Sequence, residues 1–220
     1  MRTWLRDHGL LIANLALFVI FFGGMIFSGV RVYNSKQLEH GEQAVSLGRY
    51  LLSGDFYEAT FENWESEFLQ MAMYVVLTAF LFQRGSSESK PVDEPAPQDQ
   101  DPRDATKRPD APWPVRRGGW VLTVYEHSLS ALFFILFFAS ITAHAIGGAK
   151  AYSAEELAHD GEPVSTLQYL GTSQFWFESF QNWQSEFLAV AVIVWASVYL
   201  RQRGSPESKP VAEPHHATGA

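Results

Sequence analysis

Three residues in the first half of the chain have types and spacing suited to proton or cation chemistry: Asn63, Ser66 and Glu67. They recur as Asn182, Ser185 and Glu186, each 119 residues further on. Steps of three and four residues put each set on one face of a helix, with Phe61, Trp64 and Phe68 turned roughly away. Gln70 extends the polar face of the first set, where Ala189 stands in the second. One carboxylate from each set, brought together, would hold a proton or a cation. The competing reading is structural, with Asn, Ser and Glu as hydrogen-bonding contacts between helices or caps for the adjoining loops.

Histidine offers two further candidates. An imidazole beside a carboxylate makes a proton relay, and His144 lies at a depth similar to Glu186. Its counterpart is Met25, so the repeated unit does not require it. His40 and His159, with Glu42 and Glu162 close in sequence, are the donor types of a zinc or copper site. No fixed His-x-x-x-His spacing supports that weak candidate, and a Gly-containing turn capped by the imidazole explains the same residues. His8 and His127 read as anchors at helix starts, and His215 with His216 as part of a solvated tail. The chain has no phosphate loop, no HExxH zinc helix and no Gly-x-Ser-x-Gly elbow. No residue is assigned as catalytic, no metal or cofactor is expected, and the chain is read as a non-enzyme.

Such residues need elements that hold them at a fixed depth, and the apolar pattern offers four. Residues 9–30 and 128–149 are two stretches of 22 residues without Asp, Glu, Lys or Arg. At a rise of about 1.5 Å per residue, each covers a bilayer core of about 30 Å. A cleaved signal peptide is the rival reading of the first, but its apolar run is long and no small-residue cleavage pattern ends it. Residues 68–83 and 187–200 are shorter runs. They reach membrane length only as helices spanning roughly 55–84 and 174–203, begun inside the aromatic, acidic approaches at 56–67 and 175–186. Ser53 and Ser173 stand where N-caps belong, and Gly85 and Gly204 follow Arg84 and Arg203 as helix stops would. On this register Glu186 and Glu67 lie about 22 Å and about 25 Å from the basic ends of their helices, close to the outer boundary. Twelve of the 16 Lys and Arg residues, Arg2 and Arg6 among them, fall in the tails and the central linker. Arg31, Lys36, Arg49 and Lys150 remain for the other side, so both termini are expected in the cytoplasm.

The chain is written twice. Phe61–Leu69 matches Phe180–Leu188 at seven of nine positions, and Gln83–Val92 matches Gln202–Val211 at nine of ten. Residues 1–85 and 119–204 therefore read as tandem repeats of two spans each. An even number of spans keeps one orientation, so the repeats are parallel rather than inverted. Residues 86–118 and 205–220, rich in Pro and polar residues, read as disordered cytoplasmic linker and tail. The duplicated Phe-x-Asn-Trp-x-Ser-Glu-Phe and Gln-Arg-Gly-Ser-x-Glu-Ser-Lys-Pro motifs, with Ala-Pro-Trp-Pro-Val-Arg-Arg-Gly-Gly at 111–119, resemble an uncharacterised bacterial family of duplicated four-span integral membrane proteins, a domain of unknown function. The resemblance covers nearly the whole chain. It implies membrane location and a bacterial host, and it supplies no activity, ligand or catalytic residue.

Composition narrows the rest. With 24 Asp and Glu against 16 Lys and Arg the net charge is −8, the wrong sign for general nucleic-acid binding. Zero cysteine excludes disulfides, thiolate metal sites and a thiol nucleophile. The expected fold is all-α: a four-span helical protein of the bacterial inner membrane, built from two tandem parallel helix hairpins. Close contact between the repeats is expected at Gly23, Gly24, Ser28 and Gly29 with Ser140, Gly147 and Gly148. The leading functional expectation is a non-catalytic protein that scaffolds or assists a membrane assembly, its partners being the bilayer and a second protein or a second copy. The alternative is a small channel or transporter using the paired Asn/Ser/Glu faces.

Overall fold

Proline-free runs rich in Leu, Ile and Phe form the two longest helices, α1 (Arg2–Glu39) and α6 (Ser128–Ala158). The computed structural model describes residues 2–219, with side chains from Trp4 onward, so the side chain of Arg2 lies outside the described residues. Both helices are long and apolar enough to cross a membrane. Both end in the same way. After α1 the amide of Gly41 (φ 77°) bonds Leu38 O at 3.1 Å, and that of Glu42 bonds Gln37 O at 2.7 Å. This is a Schellman stop, which needs a left-handed residue just past the helix. After α6 Asp160 takes that place at φ 62°, with the Gly161 amide on Glu156 O at 2.7 Å. Aspartate is among the few residues with a side chain that visit this conformation.

Two 27-residue helices, α3 (Gly54–Phe80) and α8 (Ser173–Tyr199), complete the long elements. Ser53 Oγ accepts the Phe56 amide at 3.3 Å and Thr172 Oγ1 accepts the Phe175 amide at 3.3 Å. Ser53 is thus the expected cap, whereas Ser173 is itself helical and Thr172 does the capping. Both helices end four residues before the expected Arg84 and Arg203. The cause is local: Ser89 Oγ accepts the Gln83 amide at 3.0 Å, and Ser208 Oγ accepts the Gln202 amide at 2.9 Å. A hydroxyl that takes a backbone amide competes with the helix ladder. Gly85 and Gly204, at φ 86° and 87°, turn the chain beyond the helix end rather than capping it. Between the long helices lie α2 (Leu47–Tyr50) and α7 (Thr166–Tyr169), one turn each, capped by Ser46 and Ser165. The short helices α4 (Trp113–Arg117) and α5 (Gly119–Glu126) precede α6. No strand occurs among the described residues.

The chain divides into two compact units. The first is Met1–Thr60 with Ala143–Phe175, and the second is Phe61–Thr142 with Trp176–Ala220. In the first unit α3 and α6 meet backbone to backbone. A Cβ on Gly147 would fall 2.5 Å from Tyr57 Cβ and 2.8 Å from the Glu58 amide nitrogen. One on Gly54 would fall 2.5 Å from Ala151 N and 2.7 Å from Gly147 O. Beside this crossing, Gly148 makes room for the Tyr169 ring as Gly29 does for Tyr50. Gly23 and Gly24, expected in close contact, face open space, and Ser28 returns its hydroxyl to Gly24 O at 2.9 Å. Ser140 is buried within the second unit.

The second unit also contains the linker and tail, which were expected to be disordered and instead carry defined structure. Ala111, Val115 and Leu122 form a small apolar core with Ala105 packed on it. Prolines open the short helical turns Pro97–Asp99 and Pro102–Ala105, where their missing amide is harmless. In the tail the buried Lys209 ammonium donates to the carbonyls of Pro214, His215 and Ala217 at 3.3, 3.0 and 2.9 Å. Burial pushes its pKa below the ordinary lysine value, and the charge of Arg201 adds to that. The Gly219 amide bonds Ser86 O at 3.0 Å, and Thr218 Oγ1 accepts the Gly85 amide at 2.7 Å. These ties use backbone groups, which composition does not reveal.

The crossing predicts a contrast between two glycines. Gly147→Val overpacks a backbone contact and should lower stability by about 1–3 kcal/mol. Gly23→Val, in open space, should stay within about 0.5 kcal/mol of the parent. Thermal unfolding in detergent, followed by circular dichroism, reads both; equal melting temperatures would contradict the crossing.

Candidate functional site

Helix α3 carries Glu58, Glu62 and Glu65 at steps of four and three, which places them on one stripe. In the second unit Glu65 is fully buried, and its Oε1 accepts the Ser179 hydroxyl at 2.8 Å and the Trp183 indole N–H at 3.3 Å. Phe137 packs edge-on against Trp183 at 6.2 Å. Glu178, buried on α8, and Glu62, half-buried on α3, bring carboxylate oxygens within 4.8 Å of each other. Two carboxylates this close in a low-dielectric interior repel strongly, and a proton or a cation between them removes the repulsion. A buried carboxylate costs several kcal/mol unless donors surround it; Ser179 and Trp183 are such donors for Glu65.

In the first unit the Tyr169 hydroxyl donates to Glu58 Oε1 at 3.1 Å. His144 is fully buried there, stacked on Phe175 at 4.9 Å and edge-on to Tyr169 at 6.5 Å. His40 and His159 also come together in this unit, with ring centroids 5.9 Å apart.

The match of a family model to residues 1–220, the entire chain, decides its kinship. The chain belongs to the DUF6766 family. That family is described as a domain of unknown function. No curated protein and no solved structure matches the chain.

In this DUF6766 chain three of the six helix residues singled out by spacing, Ser66, Asn182 and Ser185, bond backbone carbonyls of their own helices. Ser66, buried, donates to Asn63 O at 2.7 Å, and Ser185, exposed, donates to Asn182 O at 2.8 Å. Asn182 Nδ2 donates to Glu178 O at 3.0 Å. Asn63 and Glu67 are exposed, and Glu186 is half-buried. Glu67 and Glu186 nonetheless lie close enough to act on each other electrostatically. A bond runs between the two helices here, from Gln70 Nε2 to the Glu186 carbonyl at 3.2 Å.

Spacing alone did not single out Glu58, Glu62, Glu65 or Glu178. These residues are not retained in both halves: their counterparts are Phe177, Gln181, Gln184 and Ala59. The available signal was the i, i+4, i+7 stripe of carboxylates within α3. Glu65→Leu should leave Ser179 and Trp183 without an acceptor, at a cost of about 1–3 kcal/mol. Glu65→Gln keeps an acceptor and should lose less. Melting temperature and Trp emission, compared across the two variants, check that order.

Proposed function

We propose that the chain is a four-span integral membrane protein of the bacterial inner membrane that binds and passes a proton or small cation. Two parallel helix hairpins, products of a duplication, form it, and both termini are cytoplasmic. The length of α1 and α6 supports two of the spans. For α3 and α8 the support is their 27-residue length, about 40 Å of helix. Support for the duplication comes from local geometry repeated at an offset of 119. Asn34 Oδ1 accepts the Val45 amide at 2.8 Å, as Ser153 Oγ accepts the Val164 amide at 2.9 Å. The Tyr33–Tyr50 pair at 5.6 Å recurs as Tyr152–Tyr169 at 5.7 Å.

The observation that carries the ion-handling reading is the Glu62–Glu178 pair in a helical interior that also buries Glu65. Ionisable groups inside membrane-spanning bundles are costly and mark ion or proton pathways. This favours a channel or transporter over a scaffold, because packing alone would be served as well by the neutral Gln181 and Gln184 of the other half. The role is non-catalytic: carboxylates here take and release an ion without making or breaking a covalent bond to carbon.

Two experiments test it. Absence of cysteine allows single-cysteine labelling with an impermeant maleimide. A cysteine at Gly48 should label from outside intact cells, and one at Gln98, both positions being exposed, only after lysis; the reverse pattern overturns the topology. In liposomes the parent should dissipate an imposed proton or cation gradient, and Glu62→Gln with Glu178→Gln should slow this at least about tenfold, the scale of one charge-site energy of about 1.4 kcal/mol. Equal flux in parent, variant and empty liposomes would leave the scaffolding role in its place.

A further inference from the structure

Separate from the carboxylates, the ends of α1 and α6 bring His40 and His159 together, ring planes at 75° and centroids 5.9 Å apart. Each is the residue on which its helix closes. The His40 amide still bonds Lys36 O at 3.1 Å, and the His159 amide bonds Glu156 O at 3.0 Å. The left-handed residues Gly41 and Asp160 follow at once. The imidazoles are therefore carried by helix termini rather than by free loops. Side-chain hooks tie down the chain behind them: Asn34 holds Val45 through two bonds at 3.1 and 2.8 Å, and Ser153 holds Val164 through two at 3.2 and 2.9 Å.

Two features favour a cation between these rings. A helix C-terminus presents partial negative charge, and two such termini meet here. Carboxylates also stand within three residues of each histidine, Glu39 and Glu42 on one side, Asp160 and Glu162 on the other. The size fits as well. With metal–nitrogen bonds of about 2.0–2.1 Å, two imidazoles on one tetrahedral ion have centroids about 5 Å apart. Both side chains are exposed, so the adjustment from 5.9 Å needs only small rotations.

The geometry points to a divalent transition-metal site, of zinc or copper(II) type, with His40 and His159 as its nitrogen ligands. Water completes the coordination. The ion joins the C-termini of α1 and α6 through one ligand from each half of the chain. Two nitrogens with oxygen ligands suit these ions and not calcium or magnesium, which take oxygen alone.

The test uses the full chain in detergent micelles, with His215→Ala and His216→Ala introduced so that the tail histidines do not contribute. Copper(II) chloride is titrated calorimetrically, and the bound ion is examined by electron paramagnetic resonance. One ion per chain with coupling to two imidazole nitrogens is expected. Adding His40→Gln and His159→Gln should weaken binding by at least about tenfold, the lower end of what even outer-shell partners of a metal contribute. It should also abolish the nitrogen coupling at unchanged helix content. The proposal is overturned if the parent binds no stoichiometric ion, or if the double variant binds with the same affinity and the same nitrogen coupling.

Discussion

Where α3 crosses α6, the backbone of one helix lies against the backbone of the other, and Gly54 and Gly147 are the residues that permit it. On the proposed membrane-spanning reading, burial of apolar surface offers no drive here, because lipid tails solvate leucine as well as protein does. Close approach gives dispersion contacts instead, and only small residues allow it. Gly148, next along α6, accommodates the Tyr169 ring, whose hydroxyl then reaches Glu58 on α3. Two adjacent glycines thus hold a helix and an aromatic ring at once. The positions of Gly54 and Gly147 are taken by Ser173 and Ser28 in the other half, so this crossing belongs to one pairing of helices and is not duplicated.

The same asymmetry runs through the buried carboxylates. Local devices recur faithfully 119 residues apart: the tyrosine seated against a glycine, the one-turn helix behind a serine cap, the serine hydroxyl that stops each 27-residue helix. Glu58, Glu62 and Glu65 do not recur, for the second half has Phe177, Gln181 and Gln184. Repetition therefore marks these local devices, and the departures from repetition mark where carboxylates are buried. Since buried charge is expensive, it is the departures that call for a function.

The linker and tail show how far composition misleads when the ties are made by backbone. Proline, aspartate and serine outnumber apolar residues there, which is the pattern of a disordered tether. Yet Ala105, Ala111 and Val115 suffice for a small core with Leu122, and the tail closes around one lysine whose three protons find three carbonyls. That buried ammonium, with the bonds of Thr218 and Gly219 to Gly85 and Ser86, ties down a segment that has almost no hydrophobic residues of its own.

The sequence by itself determined the helical class, the two long apolar helices and the offset that relates the halves. Each follows from neighbours along the chain: a 3.6-residue period, a capping hydroxyl, a glycine or aspartate that turns left-handed. It did not determine which carboxylates face inward or which glycines meet. Those depend on how far each helix is rotated about its axis against another, and a step of one residue along a helix turns its side chains by about 100°. Glu65 rather than Glu67 is buried, and Gly147 rather than Gly23 makes the crossing, because contacts between residues as far apart in sequence as Gly54 and Gly147 decide that rotation.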